Sequence, residues 1–114
     1  MKHFVARCTP WGTIQVGIRF HALSALEKQA VIAHEEAHLA HRDPWRRLWW
    51  LLSLQLLFRP DWVFARVREQ EFAADRAVKE RGLGSAMVSF LRRHPQPASA
   101  LHPSSQERLE ALHV

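Results

Sequence analysis

The chain predicts an α+β domain: a small N-terminal antiparallel hairpin packed on a histidine-bearing helix and a glutamate-bearing helix, with further short helices after them. Three observations predict it. Residues 13–20, TIQVGIRF, alternate apolar and polar side chains at the period of a half-buried strand. Two Ser-x-x-Glu boxes, Ser24 with Glu27 and Ser104 with Glu107, mark helix starts at opposite ends of the chain. The whole is 114 residues long, enough for one modest core but not for two, so residues 1–114 read as a single domain.

In order along the chain, HFVARC is a partner strand for 13–20, and Thr9-Pro10-Trp11-Gly12 supplies the turn, with Pro at its second position and Gly at its fourth. Ile14, Val16, Ile18 and Phe20 share the inner face of the second strand. Ser24 then opens a helix over 25–41. Asp43-Pro44 reads as N-cap and first position of a second helix, continuing to residue 58 and stopped by Pro60. A third helix covers 61–81 and ends at Gly82, a natural left-handed terminator. A short fourth covers 85–93. Three prolines in 94–103 exclude regular structure before the last short helix begins at Ser104.

Composition narrows the function classes. Hydrophobic residues make up 47% and charged residues 24%, which excludes a disordered or low-complexity chain. The single cysteine, Cys8, allows no internal disulfide and no thiolate cluster; it reads as a small buried hydrophobe, and metal ligands must come from His and carboxylates. The N-terminal decapeptide lacks the apolar run of a secretory signal, so a cytoplasmic protein is expected. The net charge of +5 is spread as arginines along the helices without interleaved aromatics, which favours solubility and attraction to an anionic membrane face over nucleic acid. Residues 48–58, LWWLLSLQLLF, are too few to span a bilayer. They read first as a buried core helix, with a contact between two copies and a helix lying in a membrane interface as the alternatives.

The chemistry is concentrated in His34-Glu35-Glu36-Ala37-His38. Helix positions four apart differ by about 40° in azimuth and about 6 Å along the axis, so both imidazoles reach one cation. Glu35 sits on the rim of that face, placed to act as general base on water at the ion, while Glu36 turns to solvent. A catalytic zinc wants a third protein ligand and an open position. Glu71-Phe72-Ala73-Ala74-Asp75 offers it: Glu71 as ligand, Asp75 accepting the second ring N–H of His34, and two alanines that let the helices approach. Glu69 is the competing ligand, but no acid lies four residues beyond it. Zn2+ is therefore the expected cofactor.

HEEAHLAHRD, followed by FRPDWVFARVREQEFAADRAV, resembles the metallopeptidase domain of the beta-lactam-sensing antirepressor peptidases, and is similar to the HtpX and CAAX prenyl membrane proteases. The resemblance covers roughly residues 13–80; in size the chain resembles the minigluzincins. It implies a gluzincin-type zinc endopeptidase acting on a peptide or protein, with His34, His38 and Glu71 on the metal, Glu35 as base and Asp75 in support. A second stretch, His102-Pro103-Ser104-Ser105-Gln106-Glu107-Arg108-Leu109, looks like the H-P-x-x-x-x-R segment of the HtpX and CAAX enzymes, which implies that His102 faces the cleft as an electrophilic partner and Arg108 locks the segment in place. The chain has no tyrosine, so a donor to the oxyanion must be His102, His94, His41, an arginine, or zinc with backbone alone. The substrate is expected along the strand 13–20. Two rival readings stand beside it: a zinc-containing regulatory or binding module whose metal serves stability only, and a peripheral membrane or nucleic-acid-binding protein with Trp45, Trp49 and Trp50 beside Arg46 and Arg47 as its contact surface.

Overall fold

The helix that carries the histidines starts where its cap says it should. α1 (Ala25–Ala40) has Ser24 as N-cap, and both halves of the box form: the Glu27 N–H donates to Ser24 Oγ at 3.2 Å, and the Ser24 N–H donates to Glu27 Oε1 at 3.0 Å. Such a cap contributes about 1 kcal/mol. Glu27 is also buried, and it accepts hydrogen bonds from Ser89 and Arg93, which ties the start of α1 to a later helix.

The structure, a computed structural model, describes residues 5–95 and 103–113. Before α1, strands β1 (Ala6–Cys8) and β2 (Ile14–Val16) pair antiparallel, with Arg7 opposite Gln15. Gly12 turns the chain between them at φ 89°, a conformation that a side chain would strain. After α1 come α2 (Asp43–Leu52), α3 (Gln55–Phe58), α4 (Pro60–Glu80), α5 (Gly84–Arg93) and α6 (Ser105–His113). The α+β class is as expected, as is Gly82 at φ 80° past the end of α4. Ser104 and Glu107 also form their reciprocal cap.

The core is shared by four helices: Ala30 and Ala33 of α1, Val78 of α4, Met87 and Leu91 of α5, and Leu112 of α6. α1 packs against α4, and each helix carries a small buried residue. Ala30 and Ala74 are both fully buried. Small residues at such positions favour a close approach of the two helices, and histidines on one touch carboxylates on the other.

Three expectations are corrected. The strand expected over 13–20 stops at Val16, and Ile18–Ala22 form a 3-10 turn that leaves Ile18 81% exposed. Strand pairing requires a partner, and β1 supplies three residues. The second helix breaks at Leu54, which takes φ 64°, so 43–58 form two helices rather than one. The stretch 48–58 is not a core helix either. Leu51, Leu52, Leu54, Leu57 and Phe58 are all more than half exposed. Among the described residues no helix is long and apolar enough to cross a membrane.

Candidate metal centre

α1 turns His34 and His38 toward α4, where Glu71 and Asp75 lie one helical turn apart, and all four are buried. The two imidazoles meet edge to face with centroids 4.7 Å apart. Their Nε2 atoms are 3.1 Å from each other. Glu71 closes the triangle, with Oε2 3.0 Å from His34 Nε2 and Oε1 3.2 Å from His38 Nε2.

The outer ring nitrogens identify the inner ones. His34 Nδ1 donates to Asp75 Oδ1 at 2.8 Å, and His38 Nδ1 donates to Asp43 Oδ2 at 2.9 Å. In a neutral imidazole whose Nδ1 carries the proton, Nε2 is a lone pair. When both imidazoles are neutral, two lone pairs and a carboxylate therefore point at one spot, an arrangement of three acceptors that a cation or added protons relieve. Donors around a tetrahedral zinc at about 2.0–2.1 Å stand about 3.3 Å apart, close to the 3.1 Å between the two Nε2 atoms, while the two imidazoles meet different oxygens of Glu71. His34, His38 and Glu71 could thus hold a metal ion, and each histidine has the carboxylate partner that metal-binding histidines ordinarily have.

Asp43 was expected to cap α2. Instead Arg42, at φ 58°, takes the cap position, and Asp43 is the first helical residue, buried with its carboxylate on His38. The signal that could have found it was the need of His38 for a partner within reach of the end of α1. Arg47 is a second residue whose role the sequence reading missed. It turns inward, donating from Nε to Gln70 at 2.8 Å and from Nη2 to Glu71 Oε1 at 3.2 Å.

Arg108, carried by α6, grips Asp75 with a two-pronged fork, Nε to Oδ2 at 2.8 Å and Nη2 to Oδ1 at 2.7 Å. The C-terminal helix thereby orients the acid that orients His34. α6 is itself held by the ion pair between Arg68 and Glu107. Glu69 faces solvent and pairs with Arg66, so it does not compete with Glu71; Glu36 is exposed and pairs with Arg81. His102 lies outside the described residues. His41 is exposed, and His94 borders the cleft with its Nδ1 3.2 Å from the guanidinium of Arg19.

The donor triangle opens into a cleft of about 780 Å³. Glu35, half-buried, lines it next to His34 and His38, and Cys8 at the end of β1 lies across from it. Burial and the facing Glu35 carboxylate push the Cys8 thiol up to about 12, so it stays protonated and unreactive. Of the sheet, β1 borders the cleft and β2 does not. The strand expected to line the site is therefore replaced by its neighbour.

Protons compete for the same spot as a metal. Burial pushes His34 down, but its hydrogen bonds to Asp75 and Glu71 outweigh burial and raise it to about 9. His38 is raised in the same way, through Asp43 and Glu71. For Glu71, burial acts upward and is overcome by the two imidazoles, which hold it well below the usual carboxylate range. In metal-free protein the raised histidines stabilise the fold fully below their ordinary value and lose that contribution as pH climbs through about 9 for His34. The depressed carboxylate acts oppositely, its contribution vanishing as pH falls through its lowered value. Metal binding near neutral pH must then expel a proton. Zinc affinity should rise about tenfold per pH unit for each proton released, measured by competition with a chromophoric chelator between neutral pH and 9. A flat profile there would show that no shared proton occupies the cluster.

No family profile, curated protein or solved structure matches the chain.

Proposed function

We propose that the chain is a zinc-dependent endopeptidase of gluzincin type, with His34, His38 and Glu71 holding the metal and Glu35 as general base. The observation that carries the reading is the convergence of two imidazole lone pairs and one carboxylate beside an uncoordinated glutamate in an open cleft. The resemblance of His34-Glu35-x-x-His38 and Glu71-x-x-x-Asp75 to the antirepressor and HtpX-type peptidases supports the same conclusion. A zinc ion in such a site supplies Lewis acidity, making water a better nucleophile and polarising a carbonyl.

The chain's own residues do the rest. Glu35 removes a proton from the attacking water and returns it to the leaving nitrogen, so its carboxylate ends the cycle as it began. Asp75 and Asp43 fix both imidazoles in the tautomer that leaves Nε2 bare. Arg47, held on the cleft wall by its hydrogen bonds to Gln70 and Glu71, places a positive charge beside the site where negative charge develops on the carbonyl oxygen. An extended peptide fits along β1, which in this two-stranded sheet has its other edge on β2.

The test is metal content by mass spectrometry together with cleavage of a mixed peptide library by the same preparation. One zinc per chain, and cleavage that disappears with a chelator and returns with zinc, is the expected result. Stoichiometric zinc without any cleavage would sink the enzymatic reading and leave a module stapled by its metal.

A further inference from the structure

α2 has two faces with different neighbours. Its inner face, with Asp43, Arg47 and Leu48, borders the cleft. Its outer stripe is Trp45, Trp49 and Leu52, one helical turn apart and 54%, 66% and 68% exposed. The apolar surface continues past the bend at Leu54 into Leu57 and Phe58, 70% and 73% exposed. Single exposed apolar residues are ordinary, but a continuous run of this kind marks a contact surface.

The charges around it decide what the contact is. Between residues 42 and 60 the only acid is Asp43, which is buried against His38, whereas Arg42, Arg46 and Arg59 are exposed. On α4, Asp61 in the first turn is exposed, and Glu69, also exposed, is already paired with Arg66. The face is thus tryptophan and leucine fringed by arginine. Two copies meeting through it about a twofold axis would bring the same arginines together, which opposes a dimer. An anionic lipid surface satisfies both components: indole rings settle at the headgroup level, leucines enter the acyl boundary, and arginines reach the phosphates.

We propose that the outer face of α2 and α3 docks on an anionic bilayer, lying in its interface without spanning it. The short helices agree with this, since none of those described is long and apolar enough to cross. Because α2 also walls the cleft, docking holds the cleft beside the membrane surface. The proposal is independent of the metal site and of peptide cleavage.

The test is flotation of the full chain with vesicles of phosphatidylcholine alone and of phosphatidylcholine containing about 30% phosphatidylglycerol. Binding should favour the anionic vesicles and weaken at high salt. Trp49→Ala with Leu52→Ala should weaken it at least about tenfold, and Arg42→Gln with Arg46→Gln should cost about fivefold per arginine on anionic vesicles only. All four side chains are exposed, so circular dichroism and metal content should be unchanged in both variants. Three results would overturn the proposal: no flotation with anionic vesicles, undiminished flotation of the Trp49 and Leu52 variant, or a dimer in sedimentation equilibrium that this variant dissolves while vesicles capture nothing. The last would make a second copy the occupant.

Discussion

Glu35→Gln should keep one zinc per chain and lose cleavage by about 10²- to 10⁴-fold, the range over which a positioned general base contributes. Glu35 is not one of the three converging donors, so replacing it leaves their geometry intact. It lines the cleft half-buried, and glutamine preserves its volume and its capacity to accept a hydrogen bond while removing its basicity. Metal content, thermal unfolding and peptide turnover measured on one preparation separate the outcomes. A variant that cleaves at the parent rate would remove Glu35 from the chemistry. One that loses zinc along with activity would place Glu35 in holding the metal rather than in moving a proton.

Which parts of this arrangement are legible in the sequence follows from how local each one is. The start of α1 depends on Ser24 and Glu27, three residues apart, and it appears where their spacing puts it. His34 with His38, and Glu71 with Asp75, are each one helical turn apart, so their shared faces can be read without knowing the partner helix. The bend at Leu54 is different. No glycine or proline stands there, and the residue adopts φ 64° between α2 and α4, whose Trp50 and Trp62 meet edge to face at 5.6 Å. That cost, about 1–2 kcal/mol for a left-handed residue, is imposed by tertiary packing and has no local sign. Asp43 was misread for the opposite reason: its local signal, an acid before proline, is a good cap signal, and the imidazole of His38 competes for the same carboxylate and wins. The apolar run 48–58 shows the limit of composition, because hydrophobicity alone does not say whether a neighbour exists to cover it.

The largest effect on stability is expected from Asp75→Ala. Asp75 is 1% exposed and accepts three N–H groups, two from Arg108 and one from His34. Burial acts to raise its pKa, and the Arg108 fork and His34 more than offset it, holding the carboxyl below its usual range. Removing it strands the Arg108 guanidinium, whose side chain is 17% exposed and whose Nη2 then has His34 Nδ1 at 3.5 Å as a neighbour. Breaking a buried pair on one side destabilises by about 3–5 kcal/mol; the residual exposure of Arg108 places this case near about 3 kcal/mol. Zinc affinity should fall about 10- to 100-fold as well, because His34 loses the partner that fixes its tautomer. Adding Arg108→Met to the same background separates the two roles. With the stranded charge gone, denaturant unfolding should recover much of the lost stability, whereas zinc affinity should stay low because His34 Nδ1 still lacks its carboxylate. If the second substitution instead deepens the instability, Arg108 acts through packing against Met87 and its neighbours, and its charge on Asp75 is not what holds α6 to α4.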